Sequence, residues 1–296
     1  MNNFIKIGTR DSKLALWQAN CVKEALEKHN CKIKIIKIKS EGDLNTNTPL
    51  YEFGVSGIFT KTLDIALLKG KIDIAVHSFK DVPTTPADGI KIGCVLKRES
   101  ALDVLMLRKE CIDYSQNLKI ATSSIRRKCQ WLYKYPNHKI EPLRGNIDTR
   151  IKKLMTSKWD GAIFAHAGLK RLKIDSYNII KLDWMIPSAA QGTIAVATNK
   201  KDKNIDIILK KINCPRTFHA VNQEREFVRL TQGGCSKPIS ANANYKNDKI
   251  VFRVGICSMD GKKSIVDTST YNINDQNAGL KSYNKIKELG GLKILN

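Results

Sequence analysis

The sequence predicts an α/β protein: two doubly wound lobes around a cleft, followed by a small C-terminal α+β domain. Three observations carry this. Short apolar runs alternate with helical stripes from Phe4 to Arg171, the pattern of parallel sheets with helices on both faces. Polar and basic residues follow those runs directly, where open α/β sheets bind their ligands. Around Cys214-Pro215 the pattern changes to a helix followed by two strand-like runs. The expected boundaries are 1–96 with 191–212 for the first lobe, 97–190 for the second, and 213–296 for the C-terminal domain.

In order, Phe4 to Gly8 reads as a strand, and Ser12 can cap a helix whose apolar stripe is Ala15, Ala19, Val22 and Leu26. Ile33 to Ile38 is a second strand. Residues 40–57, rich in Gly, Asn, Thr and Ser, form a long loop, and such loops are often functional. Phe59 to Leu68 is a helix closed by Gly70, and Ile72 to Val76 and Ile90 to Leu96 are strands. The second set comprises strands at Val104 to Leu107, Leu118 to Ala121, Ile140 to Leu143 and Ala162 to Ala165. Ser123 or Ser124 caps a helix carrying Ile125, Cys129 and Leu132, and Ile147, Ile151 and Leu154 mark another. Beyond Cys214 come a helix near Ala220 to Leu230, strands at Pro238 to Ala243 and Ile250 to Cys257, and a helix near Gly279 to Leu289.

Lysines outnumber arginines 39 to 12, yet Arg10, Arg126, Arg127, Arg144, Arg150 and Arg171 sit at or after strand ends. Lysine suffices for a solvated face; a planar two-pronged grip on a carboxylate needs guanidinium. Hydroxyls and backbone N–H groups at the following helix starts also favour anions. The net charge of +23 raises a nucleic-acid reading, but the lysines are dispersed, with no basic tail and no recognisable nucleic-acid motif. No apolar run is long enough to span a membrane, and no secretion signal is present. The eight cysteines lack zinc or disulfide spacing, which points to reduced thiols in a cytoplasm.

Two segments carry candidate chemistry. In Ala75-Val76-His77-Ser78-Phe79-Lys80-Asp81, a buried strand delivers polar residues to its exit. Asp81 suits general acid work or stabilisation of a developing cation, and a salt bridge to Lys80 or a cap would also account for it. His77 reads as structural; His166 is uncommitted. Gly233-Gly234-Cys235 places a thiol on a permissive loop. A modified or nucleophilic cysteine fits, and so does a tight turn with an incidental one.

These segments stand in an ordered series: Ile7-Gly8-Thr9-Arg10-Asp11-Ser12, Asp73-Ile74-Ala75-Val76-His77-Ser78 with Lys80-Asp81-Val82-Pro83, Thr122-Ser123-Ser124-Ile125-Arg126-Arg127, Leu143-Arg144-Gly145-Asn146 with Thr149-Arg150, Ala167-Gly168-Leu169-Lys170-Arg171-Leu172, and Gly233-Gly234-Cys235. With that series the chain resembles the porphobilinogen deaminase (hydroxymethylbilane synthase) family. The resemblance implies a transferase that joins four porphobilinogens head to tail, on a dipyrromethane cofactor bound covalently to Cys235, with no metal. It implies Asp81 as the catalytic residue. It implies cofactor contacts from Ser78, Lys80, Asp81, Thr122, Ser123, Ser124, Arg126, Arg127, Arg144, Gly145 and Arg150. Substrate contacts would come from Arg10, Ser12, Phe59, Arg144, Arg150, Ala165, Arg171 and Gln191. A cytoplasmic monomer in tetrapyrrole biosynthesis, with no specific nucleic-acid or membrane partner, is the accompanying expectation.

The chain departs from the family pattern in places. Ser56 stands where a lid lysine is usual, Ala189-Ala190-Gln191-Gly192 replaces Val-Gly-Gln-Gly, Ala197 stands for a glutamate, and His166 occupies a usually small or apolar site. Two other readings remain open: a non-catalytic two-lobed anion-binding protein, since the lobes resemble periplasmic binding proteins in pattern, and a nucleic-acid-binding protein. A stoichiometric adduct on Cys235 separates the enzyme from both.

Overall fold

The computed structural model describes residues 4–39, 60–110, 112–233 and 236–295. The expected loop over 40–57, with Ser56, lies outside them, as do Phe59 and Cys235. In chain order the elements are β1 (Ile5–Thr9), α1 (Lys13–Glu27), β2 (Ile33–Lys37), α2 (Lys61–Leu68), β3 (Ile74–Ser78), β4 (Ile90–Val95), β5 (Asp103–Leu107), β6 (Lys119–Ala121), α3 (Ile125–Lys134), β7 (Lys139–Glu141), α4 (Ile147–Thr156), β8 (Gly161–Ala165), α5 (His166–Arg171), β9 (Ile179–Lys181), β10 (Ile194–Asn199), α6 (Lys203–Lys210), α7 (Pro215–Leu230), β11 (Ile239–Lys246), β12 (Lys249–Cys257), β13 (Ser264–Asn272) and α8 (Ala278–Glu288). Among the described residues no helix is long and apolar enough to cross a membrane. The chain divides into two compact units: 4–39, 60–99 and 192–219 in the first, and the described residues of 100–191 and 220–295 in the second.

The first unit is built on a sheet of order β2-β1-β3-β10-β4. Period-two alternation in β3 sends Ile74 and Val76 to one face and Ala75 to the other. The first face buries them with Ala19, Val22 and Leu26 of α1 and Leu209 of α6. The opposite face buries Ala75 with Leu63 and Leu67 of α2. Helices thus cover both faces, as expected for a doubly wound lobe. Ser12 caps α1, its Oγ accepting from the Ala15 N–H at 3.3 Å. A Cβ at Gly8 would lie 2.2 Å from Ile72 Cδ1, so only glycine lets the end of β1 pass under that side chain.

The second unit carries a sheet of order β7-β6-β8-β5-β9 and a separate antiparallel sheet, β11-β12-β13. One face of the larger sheet packs Val104, Met106 and Phe164 against Ile151 and Leu154 of α4; the other packs Leu105, Ile120 and Ile163 against Trp131 of α3. The antiparallel sheet buries Phe252, Val254 and Ile256 against Phe227 of α7 and Ile286 of α8. Phe227 and Phe252 meet edge to face at 6.4 Å. Each fully buried phenylalanine contributes roughly 1.5–3 kcal/mol.

Neither large sheet is purely parallel, contrary to the reading from alternating strands and helices. β10 runs antiparallel to β3 and β4, and β5 runs antiparallel to β8 and β9. The exceptions have one cause. Each is the first strand after the chain passes from one unit to the other. It arrives without the strand–helix–strand crossover that forces parallel pairing. β10 and β13 had no counterpart in the sequence reading, nor did the short β9.

Candidate active site

In the first unit the parallel strands β1 and β3 end side by side, since Gly8 pairs with Ala75. Arg10 follows β1. Ser78 closes β3, and Phe79-Lys80-Asp81 form a single 3-10 turn. Phe79 is buried, and its N–H donates to the Thr193 carbonyl at 2.9 Å. That anchor fixes the turn and leaves Lys80 and Asp81 half-buried at its rim. Gln18 of α1 holds Ser78, with Nε2 2.8 Å from Oγ. The Asp81 carboxylate makes no ion pair or hydrogen bond with any described residue, so it serves neither as partner of Lys80 nor as a cap. His77 is buried just before this turn. Desolvation, then the positive charge of Arg10, push its pKa down to about 4. It is therefore neutral at physiological pH, and its Nε2 has no hydrogen-bond partner. Ser12 belongs to the same edge, with its hydroxyl engaged as the α1 cap.

In the second unit, β6, β7 and β8 deliver the remaining candidates to one sheet edge. Ser124 is the cap of α3, accepting from the Arg127 N–H, while Ser123 Oγ accepts from the Leu143 N–H at 2.8 Å. That bond ties the exit of β6 to the segment after β7, where Arg144 begins. Thr122 is buried, and its Oγ1 accepts from the Ser124 N–H. Arg144 is nine-tenths buried, and desolvation lowers its pKa. Gly145 has φ +112°, and a Cβ there would lie 2.8 Å from Thr149, so the position demands glycine. Its carbonyl accepts from Arg150 Nε at 2.7 Å. Ala165 ends β8, and Arg171 is buried at the end of α5.

Arg126 and Arg127, in the first turn of α3, are also buried. Both converge on Asp103, the fully buried first residue of β5. Arg127 places Nη2 2.7 Å and Nε 3.0 Å from Oδ1, and its Nη1 donates to the Ile163 carbonyl at 2.8 Å. Arg126 Nη1 lies 2.8 Å from Oδ2 and donates to the Ile186 carbonyl, so its contact with the carboxylate is ionic rather than an aligned hydrogen bond. Burial alone would raise the Asp103 pKa; the two guanidiniums and the Gln191 amide outweigh it and hold the carboxyl well below the usual range. Gln191, expected to face substrate, is buried and gives its amide nitrogen to the Ala101 carbonyl at 2.7 Å and Asp103 Oδ1 at 2.9 Å.

Sequence reasoning passed over Asp103 and Gln18. The signal for Asp103 was present: a lone acid opening the apolar run Val104 to Leu107. Gln18 lies on the α1 face that also carries buried Ala15, Ala19 and Val22, where an amide needs a polar partner.

Comparison with known proteins gives one answer over nearly the whole chain. The family described as "Porphobilinogen deaminase, dipyromethane cofactor binding domain" matches residues 5–207, and "Porphobilinogen deaminase, C-terminal domain" matches residues 218–288. A porphobilinogen deaminase of Prochlorococcus marinus is 38% identical, covering 99% of this chain and 96% of the relative. A probable porphobilinogen deaminase of Methanocaldococcus jannaschii is 40% identical, covering 99% of this chain and all of the relative. Among solved structures, the periplasmic VFT2 domain of Bordetella pertussis BvgS is 12% identical with a TM-score of 0.43, covering 75% of this chain and 90% of that one. With identity of this level sustained end to end, the chain belongs to the porphobilinogen deaminase family.

Proposed function

We propose that the chain joins four porphobilinogen molecules head to tail, releasing ammonia at each addition, to give the linear tetrapyrrole hydroxymethylbilane. The observation that carries this reading is Asp81. A carboxylate stands at the exit of a buried strand with no ion pair or hydrogen bond to a described residue, in a chain that matches one family of deaminases. A carboxylate present for surface pairing or capping would have such a partner.

The donor set fits a dipyrromethane cofactor anchored on Cys235. Each pyrrole bears an acetate and a propionate, and Arg126 and Arg144 offer guanidiniums in buried surroundings, where charge-assisted hydrogen bonds are stronger than in water. When bound, the cofactor supplies the pyrrole carbon to which each new unit is joined. Asp81 gives a proton to the departing amine, and its carboxylate then faces the carbon left electron-poor. The same carboxylate takes up the proton released once the new carbon–carbon bond has formed.

Arg126, Arg144, Arg150 and Gly145, with Thr122, Ser123 and Ser124, hold cofactor carboxylates in this proposal, and Arg127, expected beside them, serves from behind through Asp103. Ser78 and Lys80 are proposed cofactor contacts as well. Arg10, Ser12, Phe59, Ala165 and Arg171 receive substrate. The boundaries 1–96 with 191–212, 97–190 and 213–296 belong to the same proposal, as does a cytoplasmic monomer with no specific nucleic-acid partner. The cysteine spacings, which suit neither a disulfide scaffold nor a zinc site, support a reducing compartment.

Mass spectrometry of the intact protein tests the reading. Protein made with porphobilinogen available is heavier than its sequence by two linked pyrroles, and Cys235→Ser lacks both adduct and activity. An active Cys235→Ser enzyme would remove the anchor from the proposal.

A further inference from the structure

We infer that Asp103 is a positioning residue for cofactor binding: it holds the Arg126 guanidinium in one orientation, with Arg127 and Gln191 bracing its carboxylate. The inference rests on the reading of Arg126 as a cofactor ligand, and it separates two arginines that are adjacent in sequence.

Arg127 turns inward. All three of its guanidinium nitrogens reach Asp103 or the Ile163 carbonyl. Arg126 is held differently. Its contacts with Asp103 and the Ile186 carbonyl both use Nη1, and no described residue accepts from Nε or Nη2. Those two nitrogens form the edge that takes a carboxylate through two parallel hydrogen bonds. Pinning Nη1 from two sides fixes the direction of that edge before the ligand arrives. The Ile186 carbonyl is itself fixed, since Gln130 Nε2 donates to it at 3.0 Å while the Ile186 N–H donates to Gln130 Oε1 at 2.8 Å.

Asp103 is suited to this task by its place in the sheet. It pairs with Ala165, the last residue of β8, at the edge where the candidate ligands gather. It is fully buried, so water does not compete for its oxygens. A carboxylate is needed rather than an amide, because Arg127 and Gln191 require Oδ1 as an acceptor while Arg126 needs the negative charge at Oδ2.

The test follows the rate at which apoprotein given porphobilinogen acquires the two-pyrrole adduct, read by intact mass, beside thermal stability. Asp103→Asn slows adduct formation about tenfold or more, the scale of one charge-assisted hydrogen bond. In an Arg126→Lys background the same substitution adds less than about twofold, because both act through one fork. A purely structural role predicts instead that the two losses multiply, and that result overturns the inference. Should Asp103→Asn fail to fold, Gln191→Leu decides. It removes one brace and no charge, and slows adduct formation about threefold or more, the scale of one neutral hydrogen bond; an unchanged rate overturns the inference. Arg126→Lys loading at the normal rate would instead refute Arg126 as a cofactor ligand. Slow loading by Arg126→Lys with normal loading by Asp103→Asn would refute the positioning role alone.

Discussion

The two large sheets follow one plan with different chemistry at the same place. Read across, β2-β1-β3-β10-β4 and β7-β6-β8-β5-β9 correspond strand for strand, and each has an antiparallel strand in fourth place. In the first unit that strand opens with Ile194, paired with Ser78; in the second it opens with Asp103, paired with Ala165. Both residues are buried. An apolar residue in the first unit provides no internal counter-charge, and Asp81 stands without a described partner. A carboxylate in the second unit locks two guanidiniums in place. Under the proposed function, one edge keeps a reactive acid available and the other keeps binding groups rigid. Catalysis by a single acid with binding by many fixed cations is the division that these edges support.

Acid separates the two units most strongly. The lowered pKa of His77 means that the unfolded chain takes up its proton first, near 6.5, while the folded chain resists until about pH 4. The stability linked to His77 is therefore complete above pH 6.5 and declines as pH falls toward 4, by up to about 3 kcal/mol at 1.36 kcal/mol per pH unit. Asp103 is depressed too, but its linked stability is complete above the ordinary carboxylate range, about 3.9, and declines only below it. Hydrogen exchange should show β3 losing protection between pH 6.5 and 4 while β5 and β6 hold. Simultaneous loss would erase the contrast, and His77→Gln should remove the early phase.

Asp81→Asn is the next largest effect. It preserves shape and removes the charge and the proton, so turnover should fall at least ~100-fold with a normally loaded cofactor. Near-normal turnover would move the chemistry away from the first unit's edge. Arg144→Lys should cost about 10–100-fold in kcat/KM, since lysine keeps the charge but loses the planar fork. Equal activity would make Arg144 a plain cation, and the second edge less specific than argued.

The smallest effect concerns Ala190, which sits at φ +57° with its N–H donated to Glu224 Oε2 at 2.6 Å. The left-handed conformation disfavours a Cβ, and glycine relieves it at some entropic cost. Ala190→Gly should gain at most about 1 kcal/mol in thermal unfolding. A loss instead would show that the Gln191 segment is not strained.

Local pattern made much of this legible. The strand exits, the arginines after them and the Ser12 and Ser124 caps are set by residues near one another in sequence. What escaped was set at a distance. β10 finds its partners across more than a hundred residues, at Val76 and Ser78, and no local signal records such pairing. β13 alternates as Ser-Ile-Val-Asp-Thr-Ser-Thr-Tyr-Asn with few apolar residues, because among the described strands it pairs with β12 alone, at the sheet edge. Asp103 reads as an interruption of an apolar run until the arginines, more than twenty residues on, are placed against it. Cys235 and Phe59 lie outside the described residues, and their roles rest on the family resemblance.

The exchange of strands between units also sets a timetable for synthesis. The second unit's large sheet uses only residues 103–181, so it can close as soon as β9 emerges from the ribosome. The first unit cannot close so early. Among the described strands β4 pairs with β10 alone, and β10 is made about a hundred residues after it. Until then β3 and β4 both present bare backbone edges, the kind of surface that chaperones shield and that neighbouring chains on a polysome can capture. The unit bearing Asp81, the proposed catalytic acid, is therefore the one whose large sheet is completed last, although its first residues are the first to be made.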